Sequence, residues 1–422
     1  MLKDRSVLKD MESWIKKIQN QFNSCDGTSL ASSLKLTCKD SGQSDADVFN
    51  LTHIKNCHFY IGNYKPEDIC QEFMQSPYDE IVAYHLTAAI AIIDKQYSKA
   101  FTAHTQALES FLQNVFNELK EQNWMLELLY TMLLDQRRIA RIADLTERVI
   151  VKAKLNKNSQ ITEQSMLERC AANQHMTAFR YCVADTRTTE SKSKKWGLLF
   201  IVNQLFKIYF MINQLHMLKP LLRAVEANTL KNRFPLSQRV TYNFFRGRKL
   251  LFENNFDEAI TCLTFAFEHC HKESDVNMRQ ILMYLIPVKM LQGSLPSTDL
   301  LQLHGLTDIF GGIIESIKTG NLKLFDQTMK QNELIFVKNR TLITIEKLRI
   351  LVERSLFKKV HKMVSDHKTT NGHIVSINAF FDSMKDYENT QRADYDQFDE
   401  LETECIIAGM IARGYMKGYV AH

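Results

Sequence analysis

Apolar positions recur every three to four residues along almost the whole chain, which predicts helices throughout. Residues 1–21 read as one amphipathic helix, with Val7, Met11, Trp14, Ile15 and Ile18 on a shared face. Residues 22–49, with the stretch NSCDGTSLASSLKLTCKDSGQSDAD, are polar and serine-rich and predict a linker. From about residue 50 the helical pattern runs on with few pauses.

Within that run the spacing of small residues predicts repeats. Paired helices of the tetratricopeptide kind, built on a unit of about 34 residues, need small side chains where the two helices cross. In TYNFFRGRKLLFENNFDEAITCLTFAFEHC, Gly247 is followed by Ala259 and Ala266, at steps of 12 and 7. Leu250 and Leu263 take the large apolar places, and Asn254-Asn255 makes the turn. Ala88, Ala100 and Ala107 keep the same steps, whereas Leu205, Met217 and Ala224 form a degenerate third match. Residues 50–230 are therefore assigned to helical repeats and 231–340 to further helix pairs. In the latter, RQILMYLIPVKMLQG (279–293) ends in a glycine stop, Ser297 caps a short helix, and Gly320-Asn321 joins the two helices of 307–334.

Residues 341–422 change character. An apolar stripe at Ile345, Leu348, Val352, Leu356, Val360 and Met363 predicts a helix that restarts at Ser355. A short extended piece, HIVS (373–376), precedes the helix INAFFDSMK. The helix from Tyr395 to Arg413 is expected to bury Phe398, Leu401, Cys405, Ala408 and Ala412, and to stop at Gly414 in the left-handed conformation. A strand, YMKGYVA, follows. Helix, strand, helix, helix, strand is the order of a winged helix, and the chain is expected to end inside its wing.

Composition narrows the classes. The 422 residues include only 14 Gly and 6 Pro, which favours long helices over sheets. Nine cysteines are scattered without a CxxC pair, the usage of a reducing compartment. The N-terminus is charged throughout and lacks the apolar core of a secretory signal. GLLFIVNQLFKIYFMINQL (197–215) approaches the length of a membrane span, but Asn203, Gln204, Lys207, Asn213 and Gln214 argue for a helix buried in protein. No membrane partner is expected.

No HExxH, GxSxG, Walker loop or GxGxxG occurs. His269, Cys270 and His271 are adjacent at a helix end, and a helix does not converge adjacent side chains on one ion. The expectation is a non-enzyme without cofactor or metal. TESKSKK (189–195) reads as an exposed loop.

Helical repeats running into one C-terminal winged helix resemble the PCI family, whose members are scaffold subunits of the proteasome lid, the COP9 signalosome, a translation initiation factor and an mRNA-export complex. The segments that carry the resemblance are FRGRKLLFENNFDEAITCLTFAFEHCH (245–271), ILMYLIPVKMLQG (281–293), TGNLKLFDQTM (319–329), EKLRILVERSLFKKV (346–360) and ELETECIIAGMIARGYMKGYVAH (400–422). They are nearest to the mRNA-export branch. The resemblance implies an all-α fold, with a right-handed superhelix of tetratricopeptide-like repeats, a winged helix and a small truncated β wing. It implies a non-enzymatic subunit of the second TREX complex. Its partners there would be a Sac-type scaffold, the germinal-centre-associated nuclear protein in animals, and a small acidic Sem-type protein. Its location would be the nucleus and the nuclear pore, and also the cytoplasm. A proteasome-lid or COP9-signalosome-type subunit is the alternative.

The net charge of +5 is compatible with phosphate contact. The last long helix starts with Asp396, Asp399, Glu400, Glu402 and Glu404, which a major groove would repel, so sequence-specific readout is not expected. Non-specific contact with RNA or DNA backbone is assigned instead to Arg354, Lys358, Lys359, Lys362, Arg413 and Lys417. Partner contact is assigned to Phe380, Phe381, Tyr415, Met416 and Tyr419, because aromatic side chains bury much area at small entropic cost.

Overall fold

A computed structural model describes the backbone of residues 2–37, 66–118, 123–154, 165–185, 190–367, 374–391 and 398–421. Every regular element of these residues is helical, as the periodicity predicts. The chain divides into two compact units, Met1–Tyr242 and Asn243–His422.

In the first unit the helices are α1 (Leu2–Asn23), α2 (Gly27–Ser33), α3 (Pro66–Phe73), α4 (Tyr78–Ile93), α5 (Tyr97–Ser110), α6 (Leu126–Lys154), α7 (Met166–Cys170), α8 (Met176–Val183), α9 (Leu198–Ile212) and α10 (Leu218–Glu226). Helix α1 buries Met11, Ile15, Ile18 and Phe22. The α4–α5 pair realises the repeat spacing, because Ala88, Ala100 and Ala107 have no exposed surface. Lys95, at φ +59°, makes the turn between the two helices.

The polar segment after α1 is not the linker its composition predicts. Asp26 accepts from Ser29 N at 3.0 Å and starts α2, whose Leu30 and Ala31 are buried. The following Leu34–Thr37 segment is fastened to α6: the Asp135 carboxylate accepts from Leu36 N at 2.8 Å and from the Thr37 hydroxyl. Serine-rich composition concealed a short capped helix, and residues 38–49 of that expected linker lie outside the described residues. A second buried carboxylate, Asp144, accepts from Met166 N at 2.8 Å and Leu167 N at 3.1 Å, and so caps α7.

The segment Lys194–Ile212 is long and apolar enough to cross a membrane, yet 67% of it is buried inside the protein. Two of its polar side chains make hydrogen bonds there. Arg137 Nε donates to Gln204 Oε1 at 2.9 Å, and Asn203 Nδ2 donates to the Gln238 carbonyl at 2.9 Å. Just upstream, Lys194 is buried and donates to the Phe116 carbonyl, so this part of TESKSKK is not an exposed loop.

Helix α11 (Leu236–Phe252) carries the boundary between the units. The second unit continues with α12 (Phe256–Glu268), α13 (Asp275–Leu291), α14 (Thr298–Leu303), α15 (Thr307–Thr319), α16 (Leu322–Asn339), α17 (Leu342–Glu346), α18 (Arg349–His367), α19 (Ile377–Gln391) and α20 (Glu400–Ala412). The predicted caps are present. Ser297 Oγ accepts from Leu300 N at 3.3 Å, and Asn321 Oδ1 accepts from Leu324 N at 3.0 Å. The helix expected to restart at Ser355 instead breaks at Lys347–Leu348, between α17 and α18.

Gly247 crosses α12 where the repeat pattern requires it. A Cβ there would lie 2.7 Å from Leu263 Cγ and 3.4 Å from the Ala259 carbonyl, and Leu263 is fully buried. Gly247→Val is therefore expected to destabilise the chain by about 2–3 kcal/mol in urea denaturation, the usual cost of overpacking. Gly409→Ala, at a helical position with nothing within 4 Å, serves as the control. It should leave stability unchanged or raise it by up to ~1 kcal/mol.

Candidate nucleic-acid and partner interface

The second unit places a basic groove where α13, α15 and α18 converge. Its geometry starts at the turn after α15. Gly320 has φ +68°, and a Cβ there would stand 2.6 Å from Leu356 N, so only glycine lets the turn press against the α18 backbone. Lys359 Nζ donates to the Thr319 carbonyl, satisfying one of the carbonyls that the α15 C-terminus leaves open.

Beside this contact lies a groove of about 430 Å³. Met290, Leu295, Ile317 and Leu351 supply apolar surface, and Lys318, Arg354, Lys358, Lys359 and Lys362 supply charge; among the described residues no carboxylate lines it. Arg354, Lys358 and Lys362 fall at steps of four along α18 and are all exposed. Among the described residues none of them, nor Lys318, is in a salt bridge. Four of the six predicted phosphate contacts are thus brought together, although Lys359 is partly engaged by Thr319. Arg413 and Lys417 are exposed at the end of α20 and do not line the groove. Lys318 escaped the sequence reading because it lies 36 residues before Arg354 and only the Gly320 contact unites them.

Arg349, at the start of the same helix, has a different task. Its Nη1 lies 2.9 Å from Asp326 Oδ2, its Nε 3.2 Å from Glu353 Oε1, and its Nη2 meets Glu388 Oε1. Tyr387 donates to Asp326 Oδ2 at 2.7 Å. Burial works against the guanidinium charge, but the carboxylates of Asp326, Glu388 and Glu353 outweigh it and its pKa moves up. Burial also raises Glu353, with Arg349 opposing. This cluster joins α16, α18 and α19 and leaves Arg349 no role at a phosphate surface.

The partner residues redistribute. Phe380 is core, at 8% exposure and with its ring edge-on to Phe357 at 4.9 Å, so it is not an interface anchor. Phe381 is half-buried, stacked on Phe398 at 5.9 Å and covered by Lys385 Nζ at 5.1 Å. Tyr415 and Met416 are half-buried, and Tyr419 is 88% exposed.

Helix α20 turns a different face inward from the one expected. Thr403, Ile407 and Met410 are buried, whereas Leu401 is 69% exposed and Cys405, Ala408 and Ala412 are exposed beside it. Both faces carry apolar residues at helical spacing, so periodicity did not discriminate between them. The result is an apolar stripe on the last helix that no described residue covers. Asp399 caps that helix, accepting from Glu402 N at 2.8 Å, and Glu400 and Glu402 follow in its first turn, where the helix dipole favours them. Asp396 lies outside the described residues.

The predicted strands do not form among the described residues. Gly414 adopts φ +76° as expected, but Gly414 N then donates to the Ile411 carbonyl at 3.0 Å and Tyr415 N to the Met410 carbonyl at 2.9 Å. This closes a Schellman cap. Beyond it Lys417–Ala421 is irregular, as is Ile374–Ser376, and a single strand without a partner has no ladder to join. The helices α18, α19 and α20 of the expected winged helix are present.

Among the described residues no group of three or more His, Cys, Asp or Glu side chains is placed to hold a metal ion. His269 stacks on Phe265 at 4.2 Å, and its Nδ1 meets the Phe265 carbonyl at 3.0 Å.

Paired helices crossing at small residues, an open basic groove and an uncovered apolar helix face are the features of a helical scaffold. The comparisons place it more narrowly: this chain belongs to the PCI domain-containing protein 2 family. It is 36% identical to PCI domain-containing protein 2 of Xenopus laevis over 409 residues, covering 97% of this chain and 93% of that one. It is 37% identical to the Danio rerio protein over 374 residues, covering 89% and 88%. A protein named CSN12 homolog from Mycosarcoma maydis is 29% identical over 389 residues, covering 88% and 84%. No protein-family model matches the chain. The chain is a PCI-domain scaffold protein.

Proposed function

We propose that this scaffold is a non-enzymatic subunit of a transcription-coupled mRNA-export complex at the nuclear pore. In this reading it pairs through its C-terminal unit with a Sac-type scaffold and a small acidic Sem-type protein. The basic groove of Lys318, Arg354, Lys358 and Lys362 carries the nucleic-acid part of the proposal. Closely spaced cations without ion-pair partners suit a phosphate backbone, whose contacts fix position and carry no sequence information. Arg413 and Lys417, outside the groove, remain further candidate backbone contacts, and the stripe led by Leu401, together with Tyr419, supplies the apolar contact for the protein partner. A subunit of a proteasome-lid or COP9-signalosome-type assembly is the second reading, favoured by the similarity to proteins named CSN12 homolog.

Binding of a single-stranded RNA, followed against salt concentration, tests the groove. Each phosphate contact on a single strand contributes about 0.7 to the salt slope. The variant Arg354→Glu, Lys358→Glu, Lys362→Glu is expected to lower the slope by roughly 2 and to weaken all sequences alike. A slope unchanged in the variant removes the groove from the proposal.

A further inference from the structure

A second cleft, in the first unit, has the opposite chemistry. It has a volume of about 440 Å³ and lies where the start of α2, the start of α6, the turn at Trp196 and the start of α11 meet. Trp124, Tyr130 and Trp196 are half-buried on its walls, and Asp26 and Glu127 bring two carboxyl groups to it. Among the described residues no lysine, arginine or histidine lines it.

The carboxyl groups differ in their engagement. Asp26 is held at about 2 by the hydrogen bonds it accepts from Ser29 and Thr28, so it carries its charge throughout the physiological range. Glu127 is exposed and has no ion-pair or hydrogen-bond partner for its carboxylate among the described residues. The side-chain oxygen of Gln238, also a cleft residue, is buried without a hydrogen-bond partner among the described residues. A buried acceptor left alone is costly, and what it lacks is a donor.

Aromatic faces attract cations, and the carboxylates attract positive charge. The chain already lays a guanidinium against one of these rings: Arg233 Cζ is 5.9 Å from the Trp196 ring, with its Nη1 paired to Glu190. Among organic cations, a quaternary ammonium has no N–H for Gln238 or Glu127. A lysine ammonium is compact and strongly hydrated, and gives up water reluctantly to stack on an indole. A guanidinium is planar, weakly hydrated and carries five donors, so it can lie on the aromatic wall while donating at its edge.

We propose that this cleft is a recognition site for an arginine side chain presented by a peptide segment of a partner protein. The site belongs to the first unit and the basic groove to the second, and neither proposal depends on the other.

The test uses the full chain and an end-blocked heptapeptide with a central arginine flanked by glycine and serine. Binding is followed by tryptophan fluorescence and calorimetry. Peptides with lysine, Nε-trimethyllysine or citrulline at the centre, and free arginine, are the comparisons. The arginine peptide should bind saturably and roughly tenfold or more tighter than the lysine and citrulline peptides, the scale of one charge-assisted hydrogen bond. Glu127→Gln, on an exposed side chain and with an unchanged melting temperature, should lose about the same factor. Gln238→Leu should narrow the preference for arginine over trimethyllysine. Trimethyllysine binding as tightly as arginine would overturn the guanidinium assignment. Equal binding of free arginine would overturn the peptide assignment. No saturable binding, or an undiminished Glu127→Gln variant, would overturn the site itself.

Discussion

Lowering the pH from 7 to 5 is expected to remove about 4–6 kcal/mol of folding stability from this chain. Three histidines of the first unit are fully enclosed among helices. Burial lowers His85 from 6.5 to about 4, and His104 and His175 from 6.5 to about 3. His104 is depressed further by His85 and His175, and His175 by Arg137. His85 faces the Trp14 ring at 6.5 Å, and Cys170 Sγ lies 3.3 Å from His175 Nδ1. His104 Nδ1 has no hydrogen-bond partner among the described residues, so no acceptor waits there for an added proton; at His175 the Cys170 and Leu133 backbones favour the charged ring, but burial outweighs them.

A depressed histidine contributes stability that is complete above the unfolded value. That stability is lost as pH falls towards the folded value, because the unfolded chain takes up protons first. At pH 5 each histidine costs about 2 kcal/mol relative to pH 7, and three cost about 6. Asp135 acts in the opposite direction. Burial raises it to about 6, against the hydrogen bonds from Thr37 and Leu36. Its contribution is present at low pH and lost as pH rises through 6, so acidification returns about 1 kcal/mol. Urea denaturation at pH 7, 6 and 5 should therefore show the midpoint falling steadily, and His104→Gln should flatten the fall by about a third. Stability that is constant or rises on acidification would show that these rings are not held neutral.

Arg349→Met is expected to cost about 3–5 kcal/mol, the range for removing one partner from a buried ion cluster. The substitution keeps the apolar stem but strands Asp326, Glu353 and Glu388 around an empty centre, with side-chain exposures of 24%, 11% and 12%. Repulsion among them adds to the lost hydrogen bonds. Arg349→Lys should recover only part of the loss, since an ammonium on a flexible stem does not present the planar fork that reaches Asp326, Glu353 and Glu388 at once. Lowering the pH should narrow the gap between Arg349→Met and the parent chain, because the stranded carboxylates protonate. Denaturation midpoints of the three proteins check this, and a Met variant within 1 kcal/mol of the parent would mean that solvent already screens the cluster.

That cluster also shows where sequence reading stops. Arg349 stands in a run of basic residues with Arg354, Lys358, Lys359 and Lys362, and nothing local separates it from them. Its three carboxylate partners lie on its own helix and on two others, one of them 39 residues away. The repeat crossings at Ala88, Ala100, Ala107 and at Gly247, Ala259, Ala266 were legible because a steric need repeats at fixed spacing. The caps at Ser297, Asn321 and Gly414 were legible because capping is local chemistry. The inward face of α20 was not, since Ile407 and Met410 compete with Leu401, Cys405 and Ala408 on equal apolar terms. Nor was the absence of a strand after Gly414, which depends on whether another segment lies alongside. Asp26 and Ser29, read as part of a polar linker, are the cap of α2.

In the proposed function the chain works by presenting surfaces to other macromolecules. The most direct test mixes the full chain with the PCI region of a Sac-type scaffold and measures the mass of the product by light scattering after gel filtration. The account predicts a stable complex of the summed mass. It also predicts loss of that complex for Leu401→Asp, whose side chain is exposed in the free chain and whose melting temperature should not change. No complex with the parent chain, or one that Leu401→Asp leaves intact, would contradict it.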